Sequence, residues 1–255
     1  MSRVALVTGG SRGIGAAIAT ALAGSGARVA VTGRSAADLE RVRASIAAAG
    51  GQAHAIAGDV TSADDVDRIV RETLARLGPV DVLVNNAGLA ESAALKRTDD
   101  GLWDRHIALN LTAPFRLCRA LGPGMAERGW GRIVNVASVA GRKGFPYTAA
   151  YSASKAGLVG LSRALAAELG GRGVTVNAVC PGWVDTELAA RSIVNITAKT
   201  GRSAAEARTE LAAASPAKRF MTPAEVASVV AYLCSEAAAG VNGQAWNVDG
   251  GELMS

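Results

Sequence analysis

The chain of 255 residues is 49% apolar and 4% aromatic, with 30 glycines and a formal net charge of +5. This hydrophobicity excludes a disordered chain, and the length suits one large α/β domain that buries a full sheet. The positive residues are scattered and lack the clustering and interleaved aromatics of a nucleic-acid-binding surface, so we expect no nucleic-acid partner.

Short apolar or β-branched runs alternate with longer Ala-rich helical segments along the chain. Helical patterns are predicted at roughly 14–40, 62–77, 99–128, 150–170 and 223–235. This βαβα alternation predicts a parallel, doubly wound α/β sheet with helices on both faces. The predicted strands are Val4–Thr8, Arg28–Thr32, Ala53–Ala57, Val80–Val84, Arg132–Ala137, Val174–Val179 and Gln244–Val248.

A glycine-rich loop, Thr8-Gly9-Gly10-Ser11-Arg12-Gly13-Ile14-Gly15, follows the first strand and leads directly into a helix. Glycines let the backbone approach a pyrophosphate, and a helix N-terminus offers free N–H groups and a partial positive charge. The position between the first strand and first helix of a βαβ unit distinguishes a dinucleotide site from a simple turn. We therefore predict that a dinucleotide binds here, with contacts from Gly9, Ser11, Arg12, Gly13, Ile14 and Gly15.

The end of the second strand indicates which dinucleotide binds. A site for NAD usually places Asp or Glu there, whereas a site for NADP offers Arg to the 2′-phosphate. The chain has Thr32-Gly33-Arg34-Ser35, without an acid, and Arg12 could reach the same phosphate from the glycine loop. A guanidinium binds phosphate oxygens in a forked geometry, so we favour NADP(H) over NAD(H).

Two motifs of the capping-box type predict helix starts, at Thr61-Ser62-Ala63-Asp64 and at Thr222-Pro223-Ala224-Glu225, the second with proline at the first helical position. A polar, Ala-rich, helix-prone segment separates the sixth and seventh strands, from about Asp185 to Arg219. An insertion there would lie beyond the carboxyl ends of the strands, where such sheets bind ligands. We therefore expect residues 185–219 to form a substrate lid within a single domain spanning residues 1–255.

Tyr151 and Lys155 are four residues apart on a predicted helix, so they lie on one face. An adjacent ammonium favours the phenolate and lowers a tyrosine pKa, so we expect Tyr151 to give a proton to a ketone, or accept one from an alcohol, near neutral pH. Ser138, just after the strand Arg132–Ala137, can donate a hydrogen bond to the same substrate oxygen. The pattern predicts an oxidoreductase that moves hydride between a nicotinamide dinucleotide and a carbonyl or alcohol.

The cysteines and histidines indicate no metal site and no disulfide framework. Cys118, Cys180 and Cys234 are widely spaced and odd in number, and His54 and His106 share no ligand spacing. The first residues enter an apolar strand at once, without the pattern of a signal peptide. Nor does any apolar stretch approach the roughly 20 residues of a membrane-spanning helix. We expect a cytoplasmic protein with buried, reduced cysteines.

Taken together, the motifs resemble those of the classical short-chain dehydrogenase/reductase family over essentially all 255 residues. The resemblance implies a single-domain Rossmann fold with a seven-stranded parallel sheet in the order 3-2-1-4-5-6-7. Members usually form tetramers, so a homotetramer or a homodimer is expected. Besides the glycine loop, the motifs are Asp59-Val60, Asn85-Asn86-Ala87-Gly88, Asn110, Ser138, Tyr151–Lys155, Pro181-Gly182-Trp183-Val184-Asp185-Thr186 and Asn247-Val248-Asp249-Gly250-Gly251.

The resemblance also implies roles for individual residues. Asn110, Ser138, Tyr151 and Lys155 would form the catalytic tetrad, in which Asn110 holds a water that links Lys155 to a proton relay. Lys155 and Tyr151 would also contact the cofactor, and Asn85 would stabilise the central strands. Further contacts would follow the length of the cofactor. Asp59 and Val60 would lie at the adenine, and Asn86, Ala87 and Gly88 at the adenosine ribose side. Pro181, Gly182, Val184 and Thr186 would lie near the nicotinamide, where Val184 and Thr186 hold the carboxamide.

The substrate is less narrowly indicated. Residues 131–138 and 176–182 resemble those of ketoacyl reductases, including polyketide, acetoacetyl-CoA and acyl-carrier-protein reductases, although Leu89-Ala90-Glu91 replaces an element, Pro-Gly-Gly, that polyketide enzymes often carry. Lys96 and Arg97 could meet a phosphopantetheine or carrier protein, or remain solvated. An apolar inner lid face is expected from Trp183, Leu188, Ile193, Val194 and Ile196, which suits an acyl chain or a ring.

We therefore expect an NADPH-dependent carbonyl reductase of the ketoacyl-reductase type. Its substrate would be a small-molecule ketone, with a CoA or acyl-carrier-protein thioester among the candidates. An NAD-linked secondary-alcohol or 3-hydroxyacyl-CoA dehydrogenase is the alternative. A dinucleotide-sensing protein without turnover is disfavoured, because the tetrad is complete.

Overall fold

Seven parallel strands form one sheet in the order β3-β2-β1-β4-β5-β6-β7 in the computed structural model, which describes residues 2–254. This confirms the predicted sheet and its strand order. Met1 and Ser255, at the ends of the predicted domain, lie outside the described residues. The strands are β1 (Val4–Thr8), β2 (Arg28–Gly33), β3 (Gln52–Ala57), β4 (Val82–Asn85), β5 (Gly131–Val136), β6 (Val174–Pro181) and β7 (Ala245–Val248).

Two of the predicted helical segments are divided in the structure. The pattern at 14–40 was wrong as one helix, because the first helix ends at Gly24, β2 follows, and a second helix begins at Ala36. The segment at 99–128 contains a π-helical turn, Ala108–Thr112, between two helices. In the described part of the chain, the helices are α1 (Gly13–Gly24), α2 (Ala36–Ala48), α3 (Ala63–Leu77), α4 (Asp100–Ile107), α5 (Ala113–Glu127), α6 (Ala149–Leu169), α7 (Glu187–Thr200), α8 (Ala204–Ala212) and α9 (Pro223–Leu233).

Local capping explains two of the helix starts. At α9 the predicted capping box is confirmed, since the Thr222 side chain accepts from the Glu225 backbone N–H and the Glu225 side chain binds the Thr222 backbone. At α3 the prediction was wrong by one residue, because Ser62 is the N-cap and accepts from the Asp65 N–H. The Thr61 hydroxyl instead donates to Asp59, which removes it from the helix start.

The central strands β1, β4, β5 and β6 are buried on both faces, as their largely apolar sequences require. Within β1, Ala5 and Val7 pack into the core beneath α1, α2 and α9, whereas Val4 and Leu6 pack into the core beneath α3, α5 and α6. The two cores hold the strands rigidly and leave their carboxyl ends to the loops. Between the central strands β4 and β5, the buried Asn85 amide donates to Asn135 Oδ1 at 2.8 Å.

The carboxyl ends of the strands bring the predicted site residues to one edge of the sheet. The glycine loop follows β1, Arg34 follows β2, Asn86 follows β4 and Ser138 follows shortly after β5. The chain reverses its strand order between β1 and β4, and ligands of open α/β sheets bind in the crevice at such a point. The fold therefore places the candidate dinucleotide site, at the glycine loop, and the candidate catalytic site, at Ser138, beside this crevice.

Candidate active site

Ser138, Tyr151 and Lys155 come together at the end of β5. Ser138 lies in extended backbone before a 3-10 turn, and its Oγ accepts from the Ala140 N–H at 3.0 Å. Tyr151 and Lys155 lie one turn apart in α6. Lys155 is buried, its Nζ donates to the Val136 carbonyl at 2.8 Å, and the same atom is 6.0 Å from the Tyr151 ring centroid. The arrangement joins a phenol, a hydroxyl and an amine within one small volume.

Burial decides the protonation of the two titratable groups. It raises the pKa of Tyr151 above its ordinary value of 10.0, and a hydrogen bond with Ser138 opposes this only in part. Burial also lowers the pKa of Lys155 from 10.5 to about 8. The expectation that Lys155 lowers the Tyr151 pKa is thus wrong for this structure, because desolvation dominates and the amine binds a backbone carbonyl. Tyr151 is consequently a protonated phenol, able to donate a proton to a substrate oxygen.

Asn110 lies fully buried in the π-helical turn, a feature often found at functional sites. Its Nδ2 donates to Leu89 O and to Ser154 Oγ, both at 3.0 Å, and its Oδ1 accepts from the Leu89 N–H at 3.0 Å. A Cβ on Gly88 would lie 3.2 Å from Asn110 Oδ1 and 3.4 Å from Lys155 Nζ. Asn110 therefore anchors the backbone after β4 directly beside the lysine.

The glycine loop is packed tightly against the end of β4. Gly9 and Gly13 have φ angles of 63° and 53°, in the left-handed region that favours glycine. A Cβ on Gly15 would lie 2.2 Å from Gly9 O and 2.4 Å from Asn86 Nδ2. Thr8 Oγ1 accepts from the Asn86 and Ala87 backbone N–H groups, both at 3.0 Å. The loop thus presents bare backbone at the start of α1, as a pyrophosphate cradle requires.

The two arginines predicted at the 2′-phosphate differ in their surroundings. Arg34 is exposed at the end of β2, and the side chain of Ser11 lies 3.6 Å from where a Cβ on the neighbouring Gly33 would stand. Arg12 is directed elsewhere, since its Nη1 forms an ion pair with Glu187 Oε2 at 2.9 Å. The structure thus places Arg12 against the first residue of α7, so Arg34 is the exposed cation at the end of β2.

The remaining predicted cofactor residues follow β3 and β6. Asp59 accepts from the Thr61 N–H and hydroxyl at 2.9 and 2.7 Å, and Val60 is buried.

Pro181 ends β6, and the Gly182 N–H donates to Val248 O at 3.1 Å. Val184 pairs with Met221 in a parallel β-bridge. Thr186 approaches the glycine loop, since its methyl would be 3.3 Å from a Cβ on Gly13, and Ile14 packs on the adjacent core.

Residues 185–219, predicted as a lid, form α7 and α8. Ile193 and Ala207 pack in a small cluster with Phe220, and Trp183 and Ile196 lie against it. Leu188 and Val194, expected on the apolar inner face, are instead exposed. Arg208 of α8 donates two hydrogen bonds, of 3.1 and 3.0 Å, to the carboxylate of Asp185 and so joins α8 to the start of the segment. The segment therefore has an apolar inner side formed by fewer residues than predicted.

His106 is a site residue that the sequence reasoning missed. The sequence indicates only that it belongs to no metal site and no Ser-His-Asp arrangement, whereas in the structure its ring is fully buried and lies 6.2 Å from the Tyr151 ring, with the planes 70° apart. Its position four residues before Asn110, on the same helical face, was the sequence signal that could have placed it at the site.

The three cysteines are free and buried, as expected, and Lys96 and Arg97 are exposed in a 3-10 turn.

Among residues 2–254, no group of three or more His, Cys, Asp or Glu side chains is placed to hold a metal ion. The helices in this range are also too short or too polar to cross a membrane.

Comparison with known proteins gives full-length relatives. A family model described as short chain dehydrogenase matches residues 3–197. A 3-oxoacyl-[acyl-carrier-protein] reductase of Synechocystis sp. is 42% identical, over 99% of this chain and 98% of that protein. A D-beta-hydroxybutyrate dehydrogenase of Cupriavidus necator is 39% identical, over 98% and 97%. A crystal structure of an actinorhodin polyketide ketoreductase variant with NADPH shares 44% identity and a TM-score of 0.94, covering 98% of this chain and 96% of that one.

Proposed function

The chain belongs to the short-chain dehydrogenase family of NAD(P)-dependent oxidoreductases that act on CH–OH and C=O groups, and from this premise we propose that it reduces the ketone of a 3-oxoacyl thioester with NADPH. The observation that carries the proposal is the trio of Ser138, Tyr151 and Lys155 at the end of β5, in which Ser138 and Lys155 are buried. Its tyrosine has a raised pKa and is a proton donor, which suits the reduction of a carbonyl.

The residues present fit a nicotinamide dinucleotide. The left-handed Gly9 and Gly13, and the absence of room for a side chain at Gly15, leave backbone N–H groups facing a phosphate position at the start of α1. Arg34 would bind the 2′-phosphate of NADPH, and an acid at this position would repel it. When bound, the dinucleotide supplies the hydride for the carbonyl carbon. Val184 and Thr186 would hold its carboxamide, and Lys155 its nicotinamide ribose.

The protein side of the reaction follows from the hydrogen bonds. Ser138 Oγ accepts from the Ala140 N–H, which fixes the side chain and leaves its own hydroxyl hydrogen to bind the substrate oxygen. Tyr151 donates its phenolic proton to that oxygen as the carbonyl is reduced. Lys155 donates from Nζ to Val136 O, which holds the amine 6.0 Å from the phenol ring centroid, where it would bind the hydroxyls of the nicotinamide ribose.

The thioester substrate rests on two supports. The relatives include a 3-oxoacyl-[acyl-carrier-protein] reductase and a polyketide ketoreductase, each aligned over nearly the whole chain. In addition, we propose that residues 185–219 act as a substrate lid within one domain, whose apolar residues, such as Ile193 and Ile196, cluster with Trp183 and Phe220 beside it and suit an acyl chain. Lys96 and Arg97 would face an acidic carrier protein.

Oxidation of a 3-hydroxy acid is the second candidate function, because a D-beta-hydroxybutyrate dehydrogenase is 39% identical over nearly the full length.

For assembly, we propose a homotetramer or homodimer in which the exposed Trp103 of α4 and Phe115 of α5 are covered by another copy. Gel filtration with light scattering tests this assembly, and a monomer would refute it.

An activity matrix in both directions tests the proposal. Acetoacetyl-CoA and acetoacetate are each combined with NADPH or NADH, and 3-hydroxybutyryl-CoA and 3-hydroxybutyrate with NADP⁺ or NAD⁺. We expect the highest kcat/KM for acetoacetyl-CoA with NADPH, whereas preference for 3-hydroxybutyrate with NAD⁺ selects the second candidate. Tyr151→Phe should abolish turnover and keep NADPH binding, while Tyr232→Phe, on the exposed face of α9, should remain active.

A further inference from the structure

The segment from Gly88 to Ala93 lies between α4 and the loop before α6, and it contains no helix or strand. Several of its backbone polar groups instead bind side chains or a second loop. At one end, both the N–H and the carbonyl of Leu89 bind the Asn110 amide at 3.0 Å. At the other end, the Ala93 N–H donates to Tyr147 O at 2.9 Å.

The middle of this segment depends on His106. The Glu91 backbone N–H donates to His106 Nε2 at 3.1 Å, and His106 Nδ1 lies 2.8 Å from the Leu102 carbonyl. A carbonyl accepts and an N–H donates, so these partners assign the proton to Nδ1 and leave Nε2 as an acceptor. The imidazole is therefore neutral, fully buried and fixed at both nitrogens.

The same ring faces the reacting tyrosine. The His106 and Tyr151 rings are 6.2 Å apart with an interplanar angle of 70°, a favourable edge-to-face arrangement. His106 thus contacts two parts of the site, the segment 88–93 and the phenol. The Tyr147 carbonyl that receives Ala93 belongs to the loop that leads into α6, so the segment spans the space between α4 and the helix of Tyr151.

We propose that His106 is a positioning residue for the proton transfer by Tyr151, through its hydrogen bond to Glu91 and its ring contact with the phenol. The proposal rests on the proposed function of Tyr151. A phenol displaced by about 1 Å from its productive place can lose about 100-fold in rate, even when the altered residue does not touch the substrate. His106 touches no substrate oxygen in this role, and its effect is transmitted through Tyr151.

Three substitutions separate the contributions of His106. His106→Phe keeps an aromatic ring against Tyr151 and removes both hydrogen bonds. His106→Gln retains an amide long enough to accept from Glu91 N–H, whereas His106→Asn is too short to reach it. Thr73→Val is the matched control. Thr73 is also fully buried, and its replacement also removes a hydrogen bond to a helical carbonyl, that of Ile69, but Thr73 lies in α3, away from this segment.

Reduction of acetoacetyl-CoA by NADPH provides the readouts. For His106→Phe and His106→Asn we expect kcat to fall about 10- to 100-fold, with KM for NADPH changed less than about twofold. The solvent deuterium isotope effect on kcat should rise, because proton transfer becomes slower than the other steps. His106→Gln should recover kcat to within about threefold of the wild type, and Thr73→Val should match the wild type in both readouts.

The outcomes distinguish this inference from the proposed function. If Tyr151→Phe is inactive and His106→Phe retains the wild-type kcat and isotope effect, the positioning role is wrong and the proposed function stands. If Tyr151→Phe remains active, the proposed function itself fails. Should His106→Phe not fold, the comparison of Asn with Gln decides, and equal kcat values for these two variants overturn the role of the Glu91 hydrogen bond.

Discussion

Replacing Lys155 by methionine should stabilise the folded protein while abolishing turnover. Lys155 is 4% exposed, and its burial lowers the pKa from 10.5 to about 8. At about 1.4 kcal/mol per pH unit, this difference corresponds to about 3 kcal/mol of lost folding stability when the amine is charged in both states. Methionine has a similar length and no charge, but it gives up the hydrogen bond to Val136 O, worth about 1 kcal/mol. The net gain expected at pH 7 is about 2 kcal/mol.

The pH dependence identifies the cause. Below pH 8, Lys155 is protonated in the folded and unfolded protein, so the cost of burying the charge is fully present. Between about pH 8 and 10.5, the unfolded chain binds more protons than the folded one, and the wild type gains stability as pH rises. The variant has no such group. Its advantage in unfolding free energy should therefore be largest below pH 8 and shrink as pH approaches 10.5.

Urea unfolding at pH 7, 8, 9 and 10, without added dinucleotide, measures this difference directly. Lys199→Met is the matched control, because Lys199 is exposed on α7 and should show no pH-dependent difference from the wild type. A Lys155→Met advantage that stays constant from pH 7 to 10 would refute the reasoning. Loss of turnover in the same variant would show that the buried charge is kept for chemistry at the expense of stability.

Three further predictions concern the cofactor loop and one helix. Gly15→Ala should lower NADPH affinity by more than about 10-fold in a fluorescence titration, because a Cβ there overlaps Gly9 O; Gly24→Ala, with nothing within 4 Å, should bind normally. Arg34→Ala should raise KM for NADPH about 10- to 100-fold and leave KM for NADH unchanged, because only NADPH carries the 2′-phosphate; an equal effect on both cofactors contradicts this. Thr222→Ala should lower the unfolding free energy by about 1 kcal/mol, since it removes the N-cap of α9, and an unchanged urea midpoint contradicts it.

The sheet was predictable because each strand carries its own signal. Runs such as Val4–Thr8 and Val174–Pro181 are buried along their whole length, so they are rich in valine and other apolar residues and stand out from the Ala-rich helices. The helical pattern at 14–40 was drawn across the predicted strand Arg28–Thr32 because alanine occurs in both elements, and only the β-branched residues of β2 mark the change. The single-residue error at Ser62 reflects two adjacent residues that are both good N-caps.

Electrostatic features of the site were harder to predict than its residues. A spacing of four places Tyr151 and Lys155 together, but the direction of the tyrosine pKa depends on how deeply both groups are buried and on where Nζ points. Likewise, Arg12 was placed correctly in the loop, yet its partner, Glu187, is 175 residues away in the sequence. Such contacts follow from the packing of distant segments, which residue patterns alone do not specify.

The contacts of His106 and Asn110 with the segment after β4 could have been predicted if the direction of the helix relative to that segment had been known. His106 and Asn110 are four residues apart, a rise of about 6 Å along a helix. They bind Glu91 and Leu89, two residues apart in a chain that rises about 3.3 Å per residue when extended, or nearly 7 Å. The two spacings match only if the helix runs antiparallel to the segment. Given that orientation, the imidazole and the amide, both able to form hydrogen bonds with peptide groups, would have been assigned to this segment.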